Sequence, residues 1–182
     1  IAPPVTLRET LLRVEVADAT NRAAVTDIEP YLGASGHLLI VSNDLHSLII
    51  LGTSLQKQSG FVIHLARGVK DGISQLNKRR PTATLVDIKP RTEEWKNLME
   101  ALLIVRPSPA IVVSVDDADL NYARTIKTPP IKGVLTRPLQ PLNIAEQFQT
   151  TSGIKPATAP GRPEMAAILK EEIDRVMRLP SG

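Results

Sequence analysis

The sequence has 182 residues, 42% hydrophobic and 3% aromatic, with 22 basic and 19 acidic side chains for a formal net charge of +3. That length suits one domain of roughly 100–200 residues with extensions, and the hydrophobic share is ordinary for a globular core. So mild a charge and so few aromatics give no footprint for nucleic acid or an anionic membrane, and the lack of cysteine removes disulfides, thiol nucleophiles and cysteine-ligated zinc together.

No apolar run approaches the roughly 20 residues of a membrane span, and a cysteine-free chain suits a reducing cytoplasm. The chain opens at Ile1 without a signal-peptide pattern, so the expectation is a cytoplasmic excerpt of a longer protein. Residues 1–36 read as an N-terminal helical segment and linker. Pro3 and Pro4 interrupt regular structure, Thr6 and Glu9 form a capping box, and Leu7, Leu11, Leu12 and Val14 keep to one helical face.

Leu38–Ser42 is a continuous apolar strand that runs into Asn43-Asp44. A helix over about 45–58 then buries Leu48, Ile49, Leu51, Gly52 and Leu55, Gly60 ends it, and F-V-I-H at 61–64 is a second strand. A helix over about 69–79 closes on Lys78-Arg79-Arg80, cations that suit a helix C-terminus and read as solvated. The stretch Ala83–Pro90, A-T-L-V-D-I-K-P, organises the rest. It is β-branched and apolar and ends on Asp87, the pattern of a buried parallel strand that delivers a carboxylate to its C-terminal edge. In open α/β sheets, ligands and chemistry collect at that edge.

A helix over about 92–103 carries Trp95, Leu98, Met99 and Leu102, and A-I-V-V-S-V at 110–115 is the fourth strand. Asp116-Asp117 read as caps of a helix over about 118–127. K-G-V-L-T at 132–136 is the fifth strand; it meets Arg137-Pro138 and a helix over about 141–149. Strands alternating with helices through short loops call for right-handed crossovers and a parallel sheet covered on both faces. Residues 150–163 form a Pro- and Thr-rich linker, and residues 164–182 hold an amphipathic helix with Met165, Ile168, Leu169, Ile173, Val176 and Met177 apolar. That helix either docks on the domain or begins a further module, a dimerisation segment of a homodimer being one option. His37, His46 and His64 lack metal-ligand spacing, Trp95 and Tyr122 read as packing or interaction residues, and no glycine loop has the form of a phosphate cradle.

Taken in order, H-L-L-I-V-S-N-D (37–44), L-V-D-I-K-P (85–90), I-V-V-S-V (111–115) and G-V-L-T-R-P-L (133–139) resemble the landmarks of the receiver domain of two-component response regulators, over about residues 37–149. The resemblance implies a flavodoxin-like α/β fold: a five-stranded parallel sheet of order 2-1-3-4-5 with helices on both faces. It also implies a chemistry. Two acids after the first strand and the central Asp hold Mg²⁺, and the Asp accepts a phosphoryl group. A Ser or Thr after the fourth strand and a Lys after the fifth contact the phosphoryl oxygens.

On that resemblance Asp87 matches the phosphoacceptor and Ser114 the hydroxyl position. Ser42 and Asn43 replace the acidic pair; Asp44 follows, and a one-residue shift of the loop would return it to the metal. Arg137 replaces the Lys, keeping the charge without the compact ammonium. Pro138 matches a cis-proline, and Val134 occupies the aromatic switch position. Lys89 or Arg91 is expected to fold over Asp87 as an ion pair in place of Mg²⁺.

These departures indicate a degenerate receiver, or pseudo-receiver, from a hybrid histidine kinase or multidomain response regulator. It would be a binding module rather than an enzyme, with no cofactor, controlling a histidine kinase or output domain in cis or in trans through residues of about 118–149. One alternative is a phosphorylatable receiver with atypical metal ligands, using Asp87, Asp44, Ser114 and Arg137 with weak Mg²⁺. Another is a receiver-fold module that binds a small anionic ligand. Residues 2–14 also resemble 136–148, the end of a receiver, with a plain helical linker as the competing reading.

Overall fold

The computed structural model describes residues 36–148 and 162–180; the expected N-terminal helix and residues 150–161 of the linker lie outside them. The elements run β1 (His37–Ser42), α1 (Leu45–Ser59), β2 (Val62–Arg67), α2 (Val69–Arg79), β3 (Ala83–Asp87), α3 (Glu93–Ile104), β4 (Ala110–Val115), α4 (Leu120–Thr125), β5 (Gly133–Thr136), α5 (Pro141–Glu146) and α6 (Pro163–Arg178). The strands form one parallel sheet in the order β2-β1-β3-β4-β5. This is the flavodoxin-like topology that the landmarks imply.

Successive side chains of a strand point to opposite faces. Leu38, Ile40 and Leu85 therefore pack on one side with Leu48 and Leu55 of α1, Ile144 of α5, Phe148 and Leu169 of α6. Leu39, Val41, Val86 and Val113 pack on the other with Leu76 of α2 and with Trp95, Leu98 and Leu102 of α3. Both faces being buried, the strands read as continuous apolar runs rather than as alternating ones.

Local chemistry sets three of the helix ends. The Asp44 carboxylate accepts the His46 N–H at the start of α1, and Thr92 accepts the Trp95 N–H at the start of α3. Gly60 ends α1 at φ 70°, a left-handed position that glycine occupies without steric cost.

Three features refine the sequence reading. β2 spans Val62–Arg67, because it pairs with β1 along its full length, from His37↔Val62 to Ser42↔Arg67. The fourth helix is preceded by a 3₁₀ turn at Asp117–Asp119, and the Asp116 side chain makes no capping hydrogen bond there. The C-terminal helix, left open between docking and a further module, docks: Met165 and Ile168 cluster with Val62, and Leu169 lies over Gly52.

Gly72 marks a close approach of α2 to the sheet, since a Cβ there would lie 2.9 Å from Val41 Cγ1. Val41 is fully buried and has no room to yield. Gly72→Ala is therefore expected to destabilise the fold by about 2 kcal/mol despite the better helix propensity of alanine. Urea unfolding should show a lower midpoint at unchanged m.

Candidate functional site

Parallel register gathers the candidate residues at one edge of the sheet. Asp87 ends β3 and is paired with Ser42, the last residue of β1. Val86 pairs with Val113 on β4, which sets Ser114 beside Asp87. Thr136 pairs with Val115, and the Arg137 N–H donates to the Val115 carbonyl at 3.0 Å as the chain leaves β5.

Arg137 closes over Asp87. Its Nε and Nη2 donate to Asp87 Oδ1 at 2.9 and 2.7 Å, and Nη1 reaches Asp116 Oδ1 at 3.2 Å. The second Asp87 oxygen, Oδ2, accepts the Ser42 hydroxyl at 2.8 Å, and Ser42 Oγ in turn accepts the Asp44 N–H at 3.1 Å. The Asp87 side chain is 9% exposed and that of Arg137 32%, so the pair is shielded from water on the carboxylate side. Burial works against the Arg137 charge, but the hydrogen bonds and charges of Asp87 and Asp116 outweigh it and raise the guanidinium above its ordinary value.

The remaining candidates are placed as follows. Asp44 points away from Asp87 into α1, where Oδ1 accepts the His46 N–H at 3.0 Å and Oδ2 the Ser47 hydroxyl at 2.7 Å. The Ser47 hydrogen bond leads the causes that hold its carboxyl below the usual value. Asn43 Nδ2 donates to Glu94 Oε2 at 3.2 Å. Ser114 is fully buried, and its hydroxyl has no hydrogen-bond partner among the described residues. The Arg137-Pro138 bond is cis, as the resemblance implies.

The expected cation over Asp87 is corrected. Lys89 is exposed, and Arg91 stacks on Tyr122, 4.2 Å above the ring centroid. The loop explains this: the Lys89 carbonyl accepts the Thr92 hydroxyl at 2.8 Å, and Arg91 takes φ 66°, which turns the chain into α3 away from the carboxylate. Asp116 was read as a cap and instead shares Arg137. Its place one residue past β4 was legible, but its partner depends on the turn that follows. An apolar cleft of about 540 Å³, lined in part by Ile50, Leu51, Pro138 and Leu139, opens over Asp87 and Arg137.

No protein-family model and no curated protein matches the chain in sequence. Solved structures match it in shape. A CheY-like response-regulator receiver domain protein from Methanospirillum hungatei is 20% identical, with 64% of this chain and 92% of that one covered at a TM-score of 0.55. The bacteriophytochrome response regulator RtBRR is 14% identical, covering 79% and 95% at 0.56. A response-regulator receiver domain protein from Clostridium thermocellum is 15% identical, covering 76% and 98% at 0.53.

The fold is that of a receiver domain. Asp87 ends the central strand of that fold, and the question is whether its surroundings fit magnesium. That ion takes near-octahedral oxygen ligands, carboxylates and water above all. Here both Asp87 oxygens are hydrogen-bonded within the chain, Asp44 is occupied as a cap, and Asn43 is turned to Glu94. Among the described residues no group of three His, Cys, Asp or Glu side chains gathers. The donor set does not fit magnesium, and the fixed guanidinium occupies the place of a counter-charge.

Arg137→Ala would leave a shielded carboxylate without its cation. A loss of about 1.5–3 kcal/mol is expected, the range for hydrogen bonds to charged groups. In an Asp87→Asn background the same substitution should cost about 1 kcal/mol or less. Urea unfolding of the four proteins closes the double-mutant cycle.

Proposed function

We propose that the chain is a pseudo-receiver of two-component signal transduction, a cytoplasmic binding module that regulates a histidine kinase or output domain, in cis or in trans, through protein contacts. One observation carries the reading: Arg137 and Ser42 already satisfy the Asp87 carboxylate, with no acidic pair beside it. Phosphoryl transfer to a carboxylate works by positioning and by metal neutralisation of charge. A guanidinium on the accepting oxygen neutralises the nucleophile and blocks its approach to phosphorus.

The contact surface of this reading is formed by α4, β5 and α5. A small groove of about 220 Å³ there is lined in part by Leu120, Arg124, Val134, Pro138 and Asn143, and Leu142 on α5 is 59% exposed. Val134 packs against the core in place of an aromatic switch, so no ring is available to swing between two rotamers. The state of that face is then set by the partner and not by a phosphoryl group. Ser114 favours the competing reading, phosphorylation of Asp87, because its unpartnered hydroxyl is the family's phosphoryl-contacting group.

Amide NMR with millimolar Mg²⁺ and then beryllofluoride separates the two. The expected outcome is silence at Asp87 and Ser114 in a folded protein; clustered shifts abolished by Asp87→Ala would overturn the pseudo-receiver. The combined variant Ser42→Asp, Asn43→Asp, Arg137→Lys is expected to gain millimolar Mg²⁺ binding, read as shifts confined to the same edge of the sheet.

A further inference from the structure

A second cluster of charged and titratable groups lies at the opposite edge of the sheet from β5, where α6 covers β2. An edge strand presents unpaired backbone groups that must be satisfied or hidden. Here side chains satisfy those of Leu65 and the Arg67 N–H. Glu172 of α6 accepts the Leu65 N–H at 2.9 Å, Arg175 of α6 donates to the Leu65 carbonyl, and Asp71 of α2 accepts the Arg67 N–H at 3.0 Å. Arg175 also bridges to Asp71 at 2.8 Å, and Arg79 reaches Glu172 at 3.5 Å. The four charges balance, two acids against two guanidiniums.

Two imidazoles adjoin this cluster. His37 Nδ1 and His64 Nε2 are 3.1 Å apart with the rings stacked, and both residues are buried. The other ring nitrogen of His64, Nδ1, has no hydrogen-bond partner among the described residues and lies 3.8 Å from Glu172 Oε1. The charged and titratable groups that face His64 are thus His37 from β1, Arg79 from α2, and Glu172 and Arg175 from α6, with Asp71 behind Arg175. A proton on His64 would meet the Glu172 carboxylate at 3.8 Å, but it would have to be carried out of water into a cluster whose acids are already paired with two guanidiniums.

We propose that α6 is a proton-sensitive latch on the β2 edge, held while the His37–His64 pair is neutral and released when mildly acid solution protonates it. The inference does not depend on the pseudo-receiver reading. Burial, with Arg79, His37 and Arg175 adding to it, pushes His64 well below its ordinary value of 6.5. The docked form therefore takes up the proton less readily than the released form. Docking is strongest above 6.5 and weakens as pH falls below it, by up to about tenfold per pH unit for one proton. Glu172 acts in the opposite sense: burial lifts its carboxyl above 4.5 against the pull of Arg79 and Arg175, so the docked form holds that proton more readily. Glu172→Gln removes this offset and steepens the release.

The test is amide hydrogen exchange on the full chain from pH 7.5 to 5.5, corrected for intrinsic rates, comparing the Leu65 amide at the latch with the Val86 amide in the central strand. The expected result is a Leu65 protection that lies below that of Val86 throughout and falls by close to tenfold per pH unit below about 6.5, with Val86 falling beside it because global unfolding exposes the same imidazole. In His64→Gln, Leu65 protection should no longer fall across the window. Unchanged wild-type protection at Leu65, or equal protection of Leu65 and Val86 at every pH, overturns the latch. So does a fall of the same slope in His64→Gln. Should that variant fail to fold, the wild-type ratio of the two amides decides.

Discussion

A carboxylate at the end of a buried parallel strand has to find a counter-charge, and this chain supplies it from its own fifth strand. The contact of Arg137 with Asp87 spans β3 and β5 across the end of β4, and the third guanidinium nitrogen ties in Asp116 from the loop that leads to α4. The architecture around it is ordered to that end. The sheet order brings the three C-terminal ends together, and Ser42 holds the other carboxylate oxygen. A metal would be an exchangeable partner for Asp87, whereas a covalently tethered arginine is always present. The C-terminal end of the central strand is here closed by the chain itself.

The far edge of the sheet faces a different constraint. Among the described residues β2 has a neighbour strand on one side only, and its outward backbone groups need partners wherever water is excluded. α6 excludes water with Met165, Ile168 and Leu169 and supplies Glu172 and Arg175 to the backbone it covers. The two functions belong together, because an apolar helix without those side chains would leave the Leu65 N–H and carbonyl buried and unpaired. Such a contact is specific but finely balanced: charges taken out of water add little net stability unless every one is matched. The Asp87 site and the α6 contact are joined through the strands and through α1, which touches Leu169 with Gly52 and lines the cleft over Asp87 with Ile50 and Leu51.

Much of this was legible in the residues. Alternation of apolar runs with helical patterns determined a parallel, doubly covered sheet, since no other arrangement buries strands such as Leu38–Ser42 and Ala110–Val115 on both sides. The position of Asp87 at a strand end, the missing acidic pair at Ser42-Asn43 and the basic residue after the fifth strand were likewise visible, because strand ends and their flanking loops are local features. The helix starting at residue 45 was legible too, but the role of Asp44 as its cap was not, as the same spacing serves a cap and a displaced metal ligand equally well.

Tertiary structure alone decided which cation meets Asp87. Lys89 and Arg91 are nearer in sequence, yet the turn at Arg91 and the stacking on Tyr122 take them away, while Arg137, fifty positions on, arrives through strand pairing. The same holds for His37 and His64, which carry no motif and meet because adjacent parallel strands set Leu39 opposite His64 and bring the neighbouring His37 ring within 3.1 Å. It holds also for Arg79, which reads as a solvated helix end and instead faces a buried Glu172. The physical reason is common to all three. Period and propensity act over a few residues and so determine elements, whereas a charge finds its partner through register and docking, which exist only once the sheet has formed and α6 has closed on it.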